Sequence, residues 1–146
     1  MTSAPLHLVE SDPFDLPEWL GERDVVWRPE RGLRTGHLVP GHLFSPSGVE
    51  VVPVACDLLA VDEAYPVPVT GPEVRVRAHQ VWRHGQVLLT THGERLTLAV
   101  PGTEFSADLA LECLDRLALA VGASPDNYSA LLRIGQRRGR GRRSTG

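Results

Sequence analysis

Few side chains in this 146-residue chain are equipped for chemistry, and their spacing limits what they can do. Six histidines invite a metal-site reading. His79 and His84, five positions apart, lie about 140° apart around a helix, so they do not share a face as i, i+4 ligands would. His37 and His42 have the same separation, which in a strand puts them on opposite sides. No metal and no cofactor is therefore expected. Cys56, beside Asp57, is the better placed of two thiols for nucleophilic work, and with His79 it defines a small-enzyme reading. A cysteine inside an apolar strand is more often a small buried hydrophobe. Asp57, Asp62 and Glu63 near Tyr65 are carboxylates of the kind that exchange protons, but an acidic run is usually a solvated loop. No catalytic residue is assigned from these positions.

Other chemistry is excluded outright. The chain has no lysine; all fifteen of its basic residues other than histidine are arginine. A phosphate-binding G-x-x-x-x-G-K-[ST] loop and a lysine Schiff base are therefore impossible. G-x-S-x-G and H-E-x-x-H are absent, and so is G-x-G-x-x-G outside the C-terminal residues.

The strongest compositional signal is the end of the chain, QRRGRGRRSTG. Arg137, Arg138, Arg140, Arg142 and Arg143 sit there in eleven residues with no acid and no large apolar side chain. Guanidinium groups interleaved with glycine make flexible, bidentate phosphate contacts. No aromatic accompanies them to stack on bases, so their binding to nucleic acid is expected to be weak, salt-sensitive and sequence-blind. All eighteen acids lie at or before Asp126, so residues 1–135 carry ten arginines against eighteen acids, a net −8. Such a body argues against a folded basic surface that wraps nucleic acid.

The two cysteines are far apart and form no C-x-x-C, which is the usage of a reduced, cytoplasmic protein. The first residues lack a basic stretch followed by a long apolar one, so no export is expected. No run approaches the roughly 18 apolar residues of a membrane span.

These groups must be positioned by one domain, the size that 146 residues allow. Residues 1–11 are expected to be a flexible N-terminus, 12–135 an α+β domain, and 136–146 a disordered Arg/Gly-rich tail. In DPFDLPEWLGERD the prolines can start short helical turns that must pack on the domain or on a partner, which makes Phe14, Trp19 and Leu20 partner-binding candidates. DVVWR (24–28), HLVPGHLFS (37–45) and VEVVPVACDLLAV (49–61) read as strands, with Pro53 marking the third as an edge strand or as bulged. The segment 71–85 alternates like a strand at first, but Pro72 at its start, Gly85 at its end and the stripe Val74, Ala78, Val81, Trp82 favour a helix. On that helix Arg75, His79 and Arg83 form a basic stripe, a second partner-binding candidate. QVLLTTHGERLTLAV (86–100) reads as a β-hairpin with Gly93 in the turn. Residues 106–122 read as an amphipathic helix capped by Ser106 and ended by Gly122, and 126–134 as a last strand.

Strands in runs with helices between them indicate α+β, with a largely antiparallel sheet of about five or six strands, two main helices and a short N-terminal helix. That order of elements, over about residues 13–121, resembles the type III secretion chaperone and YbjN-like group, small cytosolic proteins that bind other proteins. ACDLLAVDEAYPVPV and AHQVWRHGQVLL resemble stretches of uncharacterised actinobacterial proteins. The leading expectation is a non-enzymatic protein-interaction domain, adaptor or chaperone-like, with a basic C-terminal anchor and a protein partner; a homodimer is compatible with it. The alternatives are a nucleic-acid- or ribosome-associated regulator that binds through the tail, and a small enzyme with its site near Cys56.

Overall fold

The computed structural model describes residues 7–30, 38–46, 51–61, 72–102 and 106–131, and within them eight strands form one sheet. The strands are β1 (Val9–Glu10), β2 (Val25–Pro29), β3 (Leu38–Val39), β4 (Gly41–Phe44), β5 (Val54–Ala60), β6 (Leu88–His92), β7 (Arg95–Val100) and β8 (Tyr128–Ala130). The helices are α1 (Trp19–Glu22), α2 (Pro72–Arg83) and α3 (Ala107–Ala120), with 3-10 turns at Pro13–Asp15 and Pro125–Asn127. The class is α+β with a mostly antiparallel sheet; β5 with β7 and β2 with β8 are the parallel pairs.

Strand order is β1-β6-β7-β5-β4-β2-β8. β3 and β4 both pair with β5 in one continuous register, Leu38 opposite Leu59 and His42 opposite Ala55, and are separated only by Pro40. Proline has no N–H to give a ladder, so the strand is interrupted there. β5 is therefore central and not an edge. The edge expectation from Pro53 fails because that proline lies just before the strand begins. The segment 1–11, expected to be loose, contributes β1, held to β6 by pairing and to α2 by Arg77, whose Nε is 3.1 Å from Glu10 Oε2.

The period-2 alternation of β5 divides the core between the sheet's faces. Cys56, Leu58 and Ala60 join Leu96, Leu98 and Val100 under α3, which buries Ala110, Cys113, Leu114, Leu117 and Ala118. Leu59, Val61, Leu88 and Ala99 face the other way and meet Ala78 and Val81 of α2. The caps of α3 are those read from sequence: Ser106 Oγ accepts from Leu109 N at 3.2 Å, and Gly122 has φ +80°. Gly93 turns the hairpin at φ +64°. Arg116 joins the helices, stacking 3.4 Å over Trp82 and donating to the Trp82 carbonyl at 2.8 Å.

At the far edge β8 lies parallel to β2, with Val25 opposite Tyr128. The Tyr128 hydroxyl donates to the buried Leu20 carbonyl, tying the C-terminal strand to α1. Trp27 is fully buried and donates from Nε1 to Cys56 O at 2.9 Å, which needs Gly41 beneath it.

Candidate functional site

Helix α2 is where side chains with binding chemistry gather without being used by the fold. Its sequence supplies a proline at the first position, an arginine in the last turn, and a terminating Gly85 with φ +82°. Ala78 and Val81 turn inward. The opposite stripe, Pro72, Arg75, Val76, His79, Gln80 and Arg83, lines an open groove of about 520 Å³. These positions follow i, i+3, i+4, i+7, i+8, i+11, one continuous helix face. Val76 is 56% exposed and presents apolar surface between the cations. One guanidinium nitrogen of Arg75, Nη1, is shielded from solvent and has no hydrogen-bond partner. A shielded donor without an acceptor carries a desolvation cost. Arg77, by contrast, lies on the helix's flank with its guanidinium on Glu10, which raises its pKa through hydrogen bonding and charge.

A second polar cluster occupies the sheet face beside α2. Asp57 is only 3% exposed and accepts from Arg95 Nε at 2.9 Å, from Arg95 Nη2 at 2.7 Å and from the Gly41 amide at 3.3 Å. Arg95 Nη2 also reaches Glu30 Oε2 at 2.9 Å and the Gly41 carbonyl at 3.1 Å. His42 Nδ1 lies 3.5 Å from the same Glu30 oxygen. The Arg95 pKa is raised, first by its hydrogen bond to Asp57. Every carboxylate here is matched to a donor, so the cluster neutralises a buried acid and holds no free reactive group.

No family model matches the chain, and no curated protein or solved structure matches it. The likeness in element order to the type III secretion chaperone and YbjN-like group therefore brings no function with it.

Several expected site residues lie elsewhere than their sequence context implies. Leu20, a partner-binding candidate, is fully buried in the main core beneath Tyr128 and has no surface to offer; Trp19 beside it is partly buried against the same core. Phe14 is 95% exposed in its 3-10 turn and remains available. Arg75, His79 and Arg83 are brought together as expected. The small-enzyme grouping is not assembled. Cys56 is fully buried on the α3 face of the sheet, whereas Asp57 points to the other face and His79 stands on the outer side of α2. Burial pushes the Cys56 thiol well above its ordinary range, with Cys113 and Asp57 adding to the effect. Asp57 is thus a buried strand residue and not part of a solvated acidic loop. Asp62, Glu63, Tyr65 and His37 fall outside the described residues, as do Arg137, Arg138, Arg140, Arg142 and Arg143. Among the described residues no three His, Cys, Asp or Glu side chains converge as a metal site would, and no helix is long and apolar enough to cross a membrane.

Sequence reasoning missed the Asp57–Arg95 pair. A signal existed: Asp57 is the single acid in the apolar run VACDLLAV, at a position that strand alternation must bury on one face or the other.

Proposed function

We propose that the protein is a non-catalytic protein-interaction domain, an adaptor or chaperone-like regulator, which docks a partner segment along α2. The Arg/Gly-rich C-terminus then serves as an accessory basic anchor. One observation carries the reading: Arg75, His79 and Arg83 line one open groove together with exposed apolar surface, and among the described residues none of the three enters an ion pair. Groups that stabilise a fold are paired; charges held beside an apolar strip and left unpaired suit a partner with acidic and apolar side chains. The exposed Phe14 would add an anchor at a separate point.

Affinity capture from a lysate of the native source tests this with three baits: the full chain, the chain without residues 136–146, and Arg75→Glu/Arg83→Glu. The expected result is a partner retained without the tail and lost on charge reversal in α2. A partner indifferent to both arginines would refute α2 as the docking surface. The tail supports a second, compatible reading as a nucleic-acid contact. Its five guanidinium groups would release about four to five counterions from duplex, giving affinity that is weak at physiological salt and falls steeply as salt rises. Loss of all RNA and DNA binding even at low salt would remove that reading.

A further inference from the structure

The charges of this chain are divided unevenly among its strands. Residues 25–48 hold three arginines against one acid, Glu30, and residues 127–146 hold six arginines and no acid. Together these two segments carry +8, nine arginines less one carboxylate, and the rest of the chain carries −11, six arginines less seventeen acids. The same segments supply β4, β2 and β8, which are neighbours at one end of the sheet. The average of −8 over residues 1–135 therefore conceals a basic end, and a polyanion is drawn to it.

That end carries an aromatic platform on the sheet face that α2 shares. α2 packs on β6 and β7 and meets Leu59, Val61, Leu88 and Ala99. Strand alternation continues the same face to Ala55, which lies opposite His42; His42 lies opposite Arg28, and Phe44 opposite Val26. Val26 and Phe44 are partly exposed and belong to neither core cluster. Arg28 is exposed, enters no ion pair among the described residues, and holds its guanidinium carbon 5.2 Å from the centre of the Phe44 ring. The His42 ring is centred 6.0 Å from that of Phe44. A ring and a guanidinium stacked on an open sheet face are what unpaired bases stack on.

We infer that the β2–β4 face binds single-stranded nucleic acid, a base stacking on Phe44 and Arg28 while the C-terminal arginines hold the adjoining phosphates. This deepens the reading of the C-terminus as a nucleic-acid contact and rests on it. The C-terminus has no aromatic of its own, and β4 supplies one. The two are within reach of each other. Leu131 still bonds β2, its amide donating to Trp27 O at 3.0 Å, so the chain leaves the sheet beside Arg28. Arg137 follows six residues later and lies within about 20 Å of that point. A duplex keeps its bases stacked inside and cannot use the platform, and an acidic peptide has no plane to lay on the ring.

Fluorescence anisotropy on the full chain at fixed low salt tests the inference with four labelled probes. They are an unpaired RNA of alternating adenine and cytosine, the DNA strand of that sequence and length, its duplex, and a glutamate peptide of the same charge as the single strands. Arginines acting alone would favour the duplex, whose charge is denser. With the platform, both single strands should bind at least threefold tighter than the duplex. Phe44→Leu keeps apolar bulk but removes the ring; it should weaken single-strand binding about fivefold or more and leave duplex binding unchanged. Phe44→Tyr should retain the preference. Arg28→Ser, at an exposed position, should reduce it and serves if Phe44→Leu melts early. A duplex bound as tightly as the single strands, or a preference indifferent to both positions, overturns the inference and leaves the C-terminus as a sequence-blind contact. A glutamate peptide bound as tightly as the oligonucleotides overturns it in favour of an acidic protein. If no nucleic acid binds even at low salt, the C-terminal reading and the inference fall together.

Discussion

Gly41→Ala is a test of how tightly the two halves of the sheet are locked. A Cβ added at Gly41 would lie 2.5 Å from Trp27 Cζ2 and 2.6 Å from the Arg28 carbonyl, where ordinary contact begins near 3.4 Å. The Arg28 carbonyl belongs to β2 and cannot swing aside, so β4 and β2 must separate by roughly 0.8 Å or Trp27 must leave its place. Trp27 is fully buried and its Nε1 donates to Cys56 O, so moving it breaks a buried hydrogen bond. Overpacking costs about 1–3 kcal/mol, and an unsatisfied buried donor costs a similar amount. A sum of about 3 kcal/mol should lower Tm by about 10 °C in a domain of this size. Gly93→Ala is the control, because nothing lies within 4 Å of the added carbon and only its φ of +64° is unfavourable. That substitution should cost about 1 kcal/mol. Thermal unfolding followed by circular dichroism, with urea titration to check that the m-value is unchanged, measures both. A Gly41→Ala protein melting within 2 °C of wild type, or above Gly93→Ala, would refute the close approach of Trp27 to β4.

Arg95→Met should destabilise by about 3 kcal/mol in urea titration, because Asp57 keeps only the Gly41 amide as a partner for a buried charge; Asp57→Leu/Arg95→Met should recover much of the loss. The Asp115 carboxyl is raised by partial burial first and then by Glu112 and Asp126, so its ionised form is the less favoured one in the folded state. Its contribution to stability is therefore present below the ordinary aspartate range and lost as pH rises through the folded value. Asp115→Asn should accordingly be more stable than wild type at pH 7, by about a few tenths of a kcal/mol once solvent screening is allowed for, and the difference should vanish near pH 3. Burial raises both the Cys56 and Cys113 thiols, so a thiol reagent at pH 8 should label neither in the native protein and both in denaturant. Rapid labelling of one native thiol would return the small-enzyme reading to contention.

What the sequence revealed was local. The β6–β7 hairpin and α3 each carry their own start, stop and period within about fifteen residues, and both form where their signals place them. Helix α2 shows punctuation overriding alternation: Val74 and Val76 read like a strand, but Pro72 and Gly85 bound a helix whose stripe meets the sheet. Because the helical phase was right, the outward basic stripe was right as well. The failures are all non-local. Leu20 reads as a contact candidate because its short helical turn must pack on something, but its covering partner, Tyr128, lies 108 residues away in the chain. Two-residue β1 carries no period long enough to detect and exists because an edge of the sheet was open to receive it, whereas β8 falls inside the strand read over 126–134. The central place of β5 depended on which strands flank it, and nothing in VACDLLAV states that.

The clasp of β8 on β2 has a consequence for the order in which the molecule is made. β2 is complete early in synthesis, but its parallel neighbour emerges about a hundred residues later. Until then one side of β2 is an unpaired edge bearing the backbone of Val25, Val26 and Trp27, the kind of edge that pairs with other chains. Local units such as the β6–β7 hairpin form quickly, whereas closing so long a loop is slow, so seating of Tyr128 on Leu20 belongs to the late steps of folding. A nascent or truncated chain ending before Tyr128 therefore exposes the sticky edge of an otherwise nearly finished sheet. The arginine-rich residues come after that strand, so the net charge that accompanies the open edge during synthesis is that of the acidic body alone. Mutual repulsion between incomplete copies is then at its greatest during the interval when the edge most needs it.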